Sequence, residues 1–486
     1  MTTTISDLRY LSATELLRLL GDGRLTSSDL LDSLLLQIGR DPEVNAVVTI
    51  DPRARGWAKQ ADAARARGES WGSMHGLPVT VKDTLETAGL RTTAGAAELT
   101  RHLPAHDAVV VARLRAAGAI VFGKTNTPAW AADCQTYNDV FGTTRNPWDL
   151  GRAVGGSSGG SAAALAAGHT TLEIGSDLGG SIRNPAGYCG IFGLRPSYGV
   201  IPVRGHLPGP PGWLSEIDMA TVGPMARSAE DLELALDAVA GPAAEKAVAW
   251  RLELPPPRAS SLATVRVAAW LDDEHCRVDR GVLAVLGHAV DVIASAGAQV
   301  DSAWPCTLRE AERLAQQLMQ SAFSVACPDE VYERLKAVAA AAAPDDQRGP
   351  VRYARNVTAS AREHAIGLEA RAQLNARVRE FFGRYDVLVC PITPTTAIRH
   401  DHTPDIDARR IVVNGVERPY GHQIPWASLP GLCGLPSVVM PVGLAADGLP
   451  VGLQVIGPHL EDRTVLAFAR QLAELTGGFT APGGTG

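Results

Sequence analysis

The chain has 486 residues, 45% of them hydrophobic and 20% charged, with a formal net charge of −7 at pH 7. This is the profile of a globular protein with a large core, and the acidic balance, without any basic stripe interleaved with aromatics, argues against nucleic acid or an anionic membrane as partner. The start, MTTTISDLRYLSATELL, has neither a positive n-region nor an apolar h-region, no run of about 18 apolar residues follows, and the seven cysteines (134, 189, 276, 306, 327, 390 and 433) are scattered, so a reduced cytoplasmic setting with no membrane span is expected.

In chain order, Ser12-Ala13-Thr14-Glu15 fits a capping box ahead of a leucine-rich helix at 16–20. Leu30, Leu31, Leu34 and Leu35 form the apolar face of a second helix over 28–38. A strand at 46–50, an alanine-rich helix at 53–67 and a short strand at 78–81 follow, the last with Lys82 at its C-terminal end. Asp107 is expected to cap a helix running to 116, with a buried strand at 119–122 behind it. The segment 161–167 is a tight helix of small residues, and 171–174 a strand leading into Gly175-Ser176-Asp177. Leu254-Pro255-Pro256-Pro257 reads as a rigid surface connection, and the alanine run 339–343 as a helix end. Further central strands are expected at 387–390, 437–441 and 451–456, with a disordered tail at 477–486. Strands alternating with helices predict an α/β fold: a large mixed, mostly parallel sheet covered on both faces by helices, in one domain spanning 1–486.

The densest motif is 155–187, GGSSGGSAAALAAGHTTLEIGSDLGGSIRNPAG, in which Ser157 and Ser181 stand beside glycines 24 positions apart. Glycine allows a sharp turn or a close backbone approach. A serine in that company combines an uncrowded hydroxyl with unobstructed N–H groups, which is what a nucleophile with an oxyanion hole requires. Lysine usage adds a base. Of 45 basic residues only Lys59, Lys82, Lys124, Lys246 and Lys336 are lysine, and the rest are arginine. A lysine retained in an apolar strand, as Lys82 and Lys124 are, offers what arginine cannot, the loss of its proton.

Two shorter matches point elsewhere. Residues 118–125 fit the GxxxxGK[ST] phosphate loop, but the intervening Ala-Ile-Val-Phe is buried-strand sequence and Pro128 follows too soon for a helix. Residues 155–159 fit the GxSxG nucleophile elbow on Ser157, with Ser158 in the next register, yet 148–154 is not the apolar strand an elbow requires.

Taken together, GGSSGGSAAALAAG and GSDLGGSIRNPAG resemble the signature of the amidase signature family, the Ser-cisSer-Lys amidohydrolases. GLPVTVKD (76–83), GKTN (123–126), FGTTRNPWDLGRAVGG (141–156) and GLPSVVMPVGLAADGLPVGLQVIGPHLED (434–462) extend the resemblance. It is strong over 70–200 and good over 385–475. Between them, 200–385 matches weakly and is expected to be partly helical and to shape substrate choice.

The resemblance implies Ser181 as nucleophile, Ser157 after a cis peptide as proton bridge, and Lys82 as neutral base. It implies an oxyanion hole from the backbone N–H groups of Leu178, Gly179, Gly180 and Ser181, with Ser158, Asp177 and Arg183 in support. Lysine ordinarily titrates at about 10.4, so half-neutrality at pH 7 needs a fall of roughly 3.4, which burial can supply. Where many relatives carry Thr-Asp-Thr, this chain has Ser176-Asp177-Leu178, which keeps a hydroxyl and a backbone N–H.

The implied activity is a cofactor-free, metal-free hydrolysis of a small-molecule carboxamide to a carboxylate plus an amine or ammonia, with ester cleavage open and a homodimer as the assembly considered. Alternatives are the glutaminase component of a tRNA-dependent amidotransferase, an α/β-hydrolase-type esterase using Ser157, and a non-catalytic ligand-binding relative. The first shares the signature, but 300–380 lacks the tyrosine-rich Arg-Tyr-Gly segment expected of such components. Trp130, Tyr137, Trp148 and Trp426 are candidates for an apolar pocket, with ordinary packing the plainer reading of each.

Overall fold

Eleven strands pair into one sheet in a computed structural model that describes residues 8–207 and 209–483. In chain order they are β1 (Val47–Ile50), β2 (Pro78–Lys82), β3 (Ile120–Thr125), β4 (Glu173–Asp177), β5 (Phe192–Arg195) and β6 (Thr221–Ala226). The remainder are β7 (Arg266–Ala269), β8 (Gln299–Ser302), β9 (Val387–Pro391), β10 (Ser437–Leu444) and β11 (Pro450–Ile456). Across the sheet they lie in the order β1-β3-β2-β4-β6-β5-β10-β11-β9-β7-β8.

The sheet is mixed, with its parallel pairing gathered into two blocks, β3-β2-β4 and β9-β7-β8. Four of the ten pairings are parallel, and the six antiparallel ones join the blocks through β6, β5, β10 and β11 or add β1 at the edge. A hairpin through Asp447-Gly448, with Gly448 at φ +77°, supplies one antiparallel pair from local turn chemistry.

Successive strand residues point to opposite faces, and the packing separates accordingly. Val438 and Met440 belong to the main core, with helices Ala229–Val239, Arg280–Ser295 and Asp462–Thr476. Val439 and Met225 face a second cluster built from Ala162–Ala167, Ile182, Ala186 and Cys189. On that second face lie the two short helices that carry the signature, Gly159–Ala166 and Arg183–Cys189. The glycines and alanines of the first, and Gly187 of the second, where a Cβ would lie 2.8 Å from Ile392 Cγ2, let them sit close to the sheet.

Several local expectations shift. The capping box at Ser12 and Glu15 forms as expected. Asp107 does not cap the helix Val109–Ala116; its carboxylate accepts from the Ala88 N–H at 2.7 Å and pairs with Arg115 at 3.1 Å, because loop 84–89 folds back against it. The strand expected at 171–174 is displaced to Glu173–Asp177, where pairing with β6 draws Ser176 and Asp177 into the sheet. Residues 118–125 end in β3, a buried strand and not a phosphate-binding loop. Of the tail, 484–486 lie outside the described residues, while Phe479 packs its ring against Tyr10. Among the described residues no helix is long and apolar enough to cross a membrane.

Candidate active site

β2 and β4 are parallel neighbours, with Val81 beside Ile174, so both strands deliver their last residues to the same edge of the sheet. That edge is where open α/β sheets place their chemistry. β2 ends on Lys82 and β4 on Ser176 and Asp177. The loop 155–158 crosses above them before the helix Gly159–Ala166 starts, and its Gly156–Ser157 peptide is cis.

Lys82 is fully buried, and its Nζ donates to Ser157 Oγ at 2.6 Å and to Ser176 Oγ at 2.9 Å. Burial pushes the ammonium down to about 7, against the pull of Asp177 and Glu173. Glu173 is itself pushed up to about 8 by burial, despite bonds from Thr125 Oγ1 at 2.5 Å and the Ile174 N–H at 2.8 Å. Burial thus disfavours the charged form of Glu173, and with it the pull that Glu173 exerts on Lys82.

Ser176, read in the sequence only as a hydroxyl kept before Asp177, was given no role there, and its bond to Lys82 appears only once the strand boundary is known. Lys124, the other lysine set apart by composition, is equally buried and held at about 8 by burial. Its Nζ meets the Leu85 carbonyl, Thr87 Oγ1 and Thr92 Oγ1, so it braces the loop beyond Lys82 and bonds to neither serine.

Ser158 precedes the small-residue helix without capping it. Its N–H donates to the Ser181 carbonyl at 3.0 Å, and its Oγ bridges the Ser176 carbonyl and N–H at 3.2 and 3.3 Å. This ties the Ser157 loop to the Ser181 loop. The Ser181 side chain is half-buried, and among the described residues no hydrogen bond joins its hydroxyl to Ser157. Relay hydrogen bonds often tighten only around substrate.

Asp177 organises the loop that follows it. Its carboxylate accepts from Arg183 Nε at 2.9 Å and Nη2 at 2.8 Å, and from the N–H groups of Gly180 at 3.0 Å and Ile182 at 3.1 Å. Burial alone would raise its pKa, but the Arg183 guanidinium, with Arg195 beyond it, holds the carboxyl well below the usual carboxylate range. Arg183 also donates to the Ala427 carbonyl and to Gln454 Oε1, which anchors the loop to β11.

Gly180 takes φ +113°, a left-handed region that glycine enters freely, and its N–H turns inward to Asp177. It is therefore not available to an oxyanion, whereas the N–H groups of Leu178, Gly179 and Ser181 meet no acceptor among the described residues. Arg195 was missed by sequence reasoning; an arginine ending the apolar run Phe-Gly-Leu-Arg was its only signal.

The aromatic candidates are engaged in packing. Trp426 donates to the Cys276 carbonyl and lies edge-on to Trp270, Trp148 donates to the Cys189 carbonyl, and Tyr137 stacks on His402. Trp130 packs beside Ala94, Ala96, Leu99 and Leu207. The elbow reading fails on geometry, since residues 153–156 form no strand.

A family model described as Amidase matches residues 29–466. A glutamyl-tRNA(Gln) amidotransferase component from Roseiflexus sp. (strain RS-1) is 34% identical over 466 residues, covering 91% of this chain and 92% of the relative. The protein of the same name from Salinispora arenicola (strain CNS-205) is 34% identical over 516 residues, covering 98% and 100%. Among solved structures, that of a vestigial protein complex bearing on the origins of an s-triazine catabolic enzyme superposes with a TM-score of 0.81 at 29% identity, covering 97% of this chain and 100% of the other. A bacterial aryl acylamidase of the amidase signature enzymes shares the fold, with a TM-score of 0.78 at 23% identity over 96% of each chain. On this match the chain belongs to the amidase family, the amidase signature enzymes, and is an enzyme acting on amide C–N bonds.

Proposed function

We propose that the protein hydrolyses a small-molecule carboxamide through a Ser181 acyl-enzyme, with Ser157 as proton bridge and neutral Lys82 as base. The observation that carries this reading is the 2.6 Å bond between Lys82 Nζ and Ser157 Oγ in a buried site that brings the lysine down to about 7. Neutral Lys82 accepts the Ser157 proton as Ser157 takes that of Ser181, and Ser181 Oγ bonds to the amide carbonyl carbon. The developing oxyanion faces the N–H groups of Leu178, Gly179 and Ser181, with Gly180 held by Asp177. As the C–N bond breaks, the proton on Lys82 returns through Ser157 to the departing nitrogen, which leaves as an amine or ammonia. Water then attacks the acyl-enzyme by the same relay, and the carboxylate is released.

Fluorophosphonate treatment followed by peptide mass spectrometry tests the assignment. A stoichiometric adduct on Ser181 is expected, slowed at least about 100-fold in Lys82→Ala, given the usual worth of a positioned general base. Labelling at Ser157 or Ser158 would overturn it.

A second reading comes from the names of the relatives, which are components of glutamyl-tRNA(Gln) amidotransferases. On that reading the site would release ammonia from glutamine for a partner protein, and a second chain would co-purify with it.

A further inference from the structure

Gly179 lies in the loop that faces the oxyanion and has no side chain of its own. A Cβ built on it would stand 3.5 Å from Met319 Sδ and 3.9 Å from Ile424 Cγ2. Met319 belongs to the helix Leu308–Ala322, and Ile424 immediately precedes the helix Pro425–Cys433; the two helices pack against each other. Leu178 and Met319 give only part of their surface to the main core, and Ile424 is likewise half-buried. The side-chain atoms beside Gly179 are therefore a thioether and a branched aliphatic, from two segments distant in sequence from the loop.

The charged groups near these atoms are occupied elsewhere. Glu312, seven residues before Met319 on the same helix, is bound by His275 and by Gln316 Nε2 at 2.9 Å. His422, two residues before Ile424, is kept below its ordinary pKa by burial, with Glu312 opposing. Arg183 beneath the loop is buried against Asp177. An α-ammonium or α-carboxylate brought against Met319 Sδ and Ile424 Cγ2 would exchange water for apolar atoms, and desolvating an unpaired charge is strongly unfavourable. The leaving nitrogen must face Ser157, the hydroxyl that returns its proton. Met319 and Ile424 adjoin Gly179 instead, so the substrate group they meet is the acyl substituent.

We infer that Leu178, Met319 and Ile424 form an apolar acyl wall that selects amides of uncharged, hydrophobic carboxylic acids over glutamine, an inference that rests on the Ser181 acyl-enzyme reading above. Ammonia release from acetamide, butanamide, hexanamide, benzamide and glutamine tests it, because the leaving group is constant and only the acyl side varies. In the wild-type protein kcat/KM is expected to rise about fourfold per methylene along the aliphatic series, with glutamine below acetamide. Ile424→Asp and Met319→Glu are expected to lower the hexanamide-to-acetamide ratio at least about tenfold, the order set by placing a charge where methylenes packed. Met319→Leu should keep the ratio and so report that the helix still packs. A flat series, or glutamine preferred by the wild type, overturns the wall while a labelled Ser181 leaves the acyl-enzyme reading standing. No turnover of any amide together with no fluorophosphonate adduct removes that reading and this inference with it.

Discussion

At the scale of single residues, the proposed relay turns on making one amine lose its proton. Lys82 has no exposed surface, its Nζ is satisfied by two serine hydroxyls, and of the two acids that favour its charged form Asp177 is tied to Arg183 while Glu173 is itself pushed up by burial. Because the folded-state pKa is lowered to about 7, the proposed base would be competent above that pH and blocked below it. The expected profile of kcat/KM is therefore a plateau above about pH 7 and a tenfold fall per pH unit on the acid side. A limb centred near 10 would show that Lys82 keeps its ordinary affinity for the proton. Lys82→Arg should abolish turnover, since guanidinium does not deprotonate in proteins; retained amidase activity in that variant would remove lysine from the relay. Lysine scarcity made this residue legible, but it marked Lys124 equally, and only the fold separates them. Strand β3 aims Lys124 at carbonyl and hydroxyl groups of the 85–92 loop, while β2 aims Lys82 at Ser157.

At the scale of elements, the small-residue helix Gly159–Ala166 and its leading loop hold Ser157 and Ser158 over the ends of β2 and β4. The helix reaches that position because its first two residues, Gly159 and Gly160, have no side chains to keep it away. A Cβ at Gly160 would lie 2.3 Å from the Asn126 backbone N and 2.5 Å from its O, in a segment that cannot flex like a side chain. Gly160→Ala is therefore expected to destabilise by about 1–3 kcal/mol through overpacking. For a chain of this size that is a fall in Tm of about 1 °C per kcal/mol. Activity should fall further than stability, by at least about tenfold, because displacement of the helix start carries Ser157 away from Lys82. Wild-type kcat/KM at a lowered Tm would show that the helix does not set the relay geometry. The helix was legible in the sequence, since a run of glycine and alanine after two serines has few other uses. The oxyanion loop was legible only in outline. Four N–H groups were expected to face the oxyanion, but the Asp177 carboxylate takes that of Gly180, a competition between side chain and ligand that no spacing reveals. Met319 and Ile424 left no motif at all, because neither residue is chemically distinctive and 105 positions separate them.

At the scale of the whole molecule, one sheet assembles the site from segments that are far apart in the chain. β2 supplies Lys82, the loop before Gly159 supplies Ser157, β4 supplies Ser176 and Asp177, and β11 supplies Gln454, which holds Arg183 from beneath. The blocks of parallel pairing were foreseeable from alternating strands and helices. The antiparallel bridge through β6, β5, β10 and β11 was not, because β5 and β10 pair Arg195 with Ser437, 242 positions apart, and such pairing is a tertiary choice. That bridge makes residues 434–456 part of the frame on which the oxyanion loop rests, and it makes the proposed relay complete within one chain. Lys82 Nζ, Ser158 Oγ and the Asp177 carboxylate are buried polar groups, and each finds its hydrogen-bond partners in neighbouring strands and loops of this sheet edge. Specific activity on a hydrophobic amide should therefore stay constant as purified protein is diluted about 1,000-fold, from micromolar to nanomolar. An obligate partner copy dissociating in that range would make activity fall with dilution, because mass action removes an assembly whose stability depends on protomer concentration. A loss of activity on dilution that is restored on reconcentration would show that some part of the site is held by a second chain. Constant activity would show that the eleven-stranded frame positions the chemistry unaided.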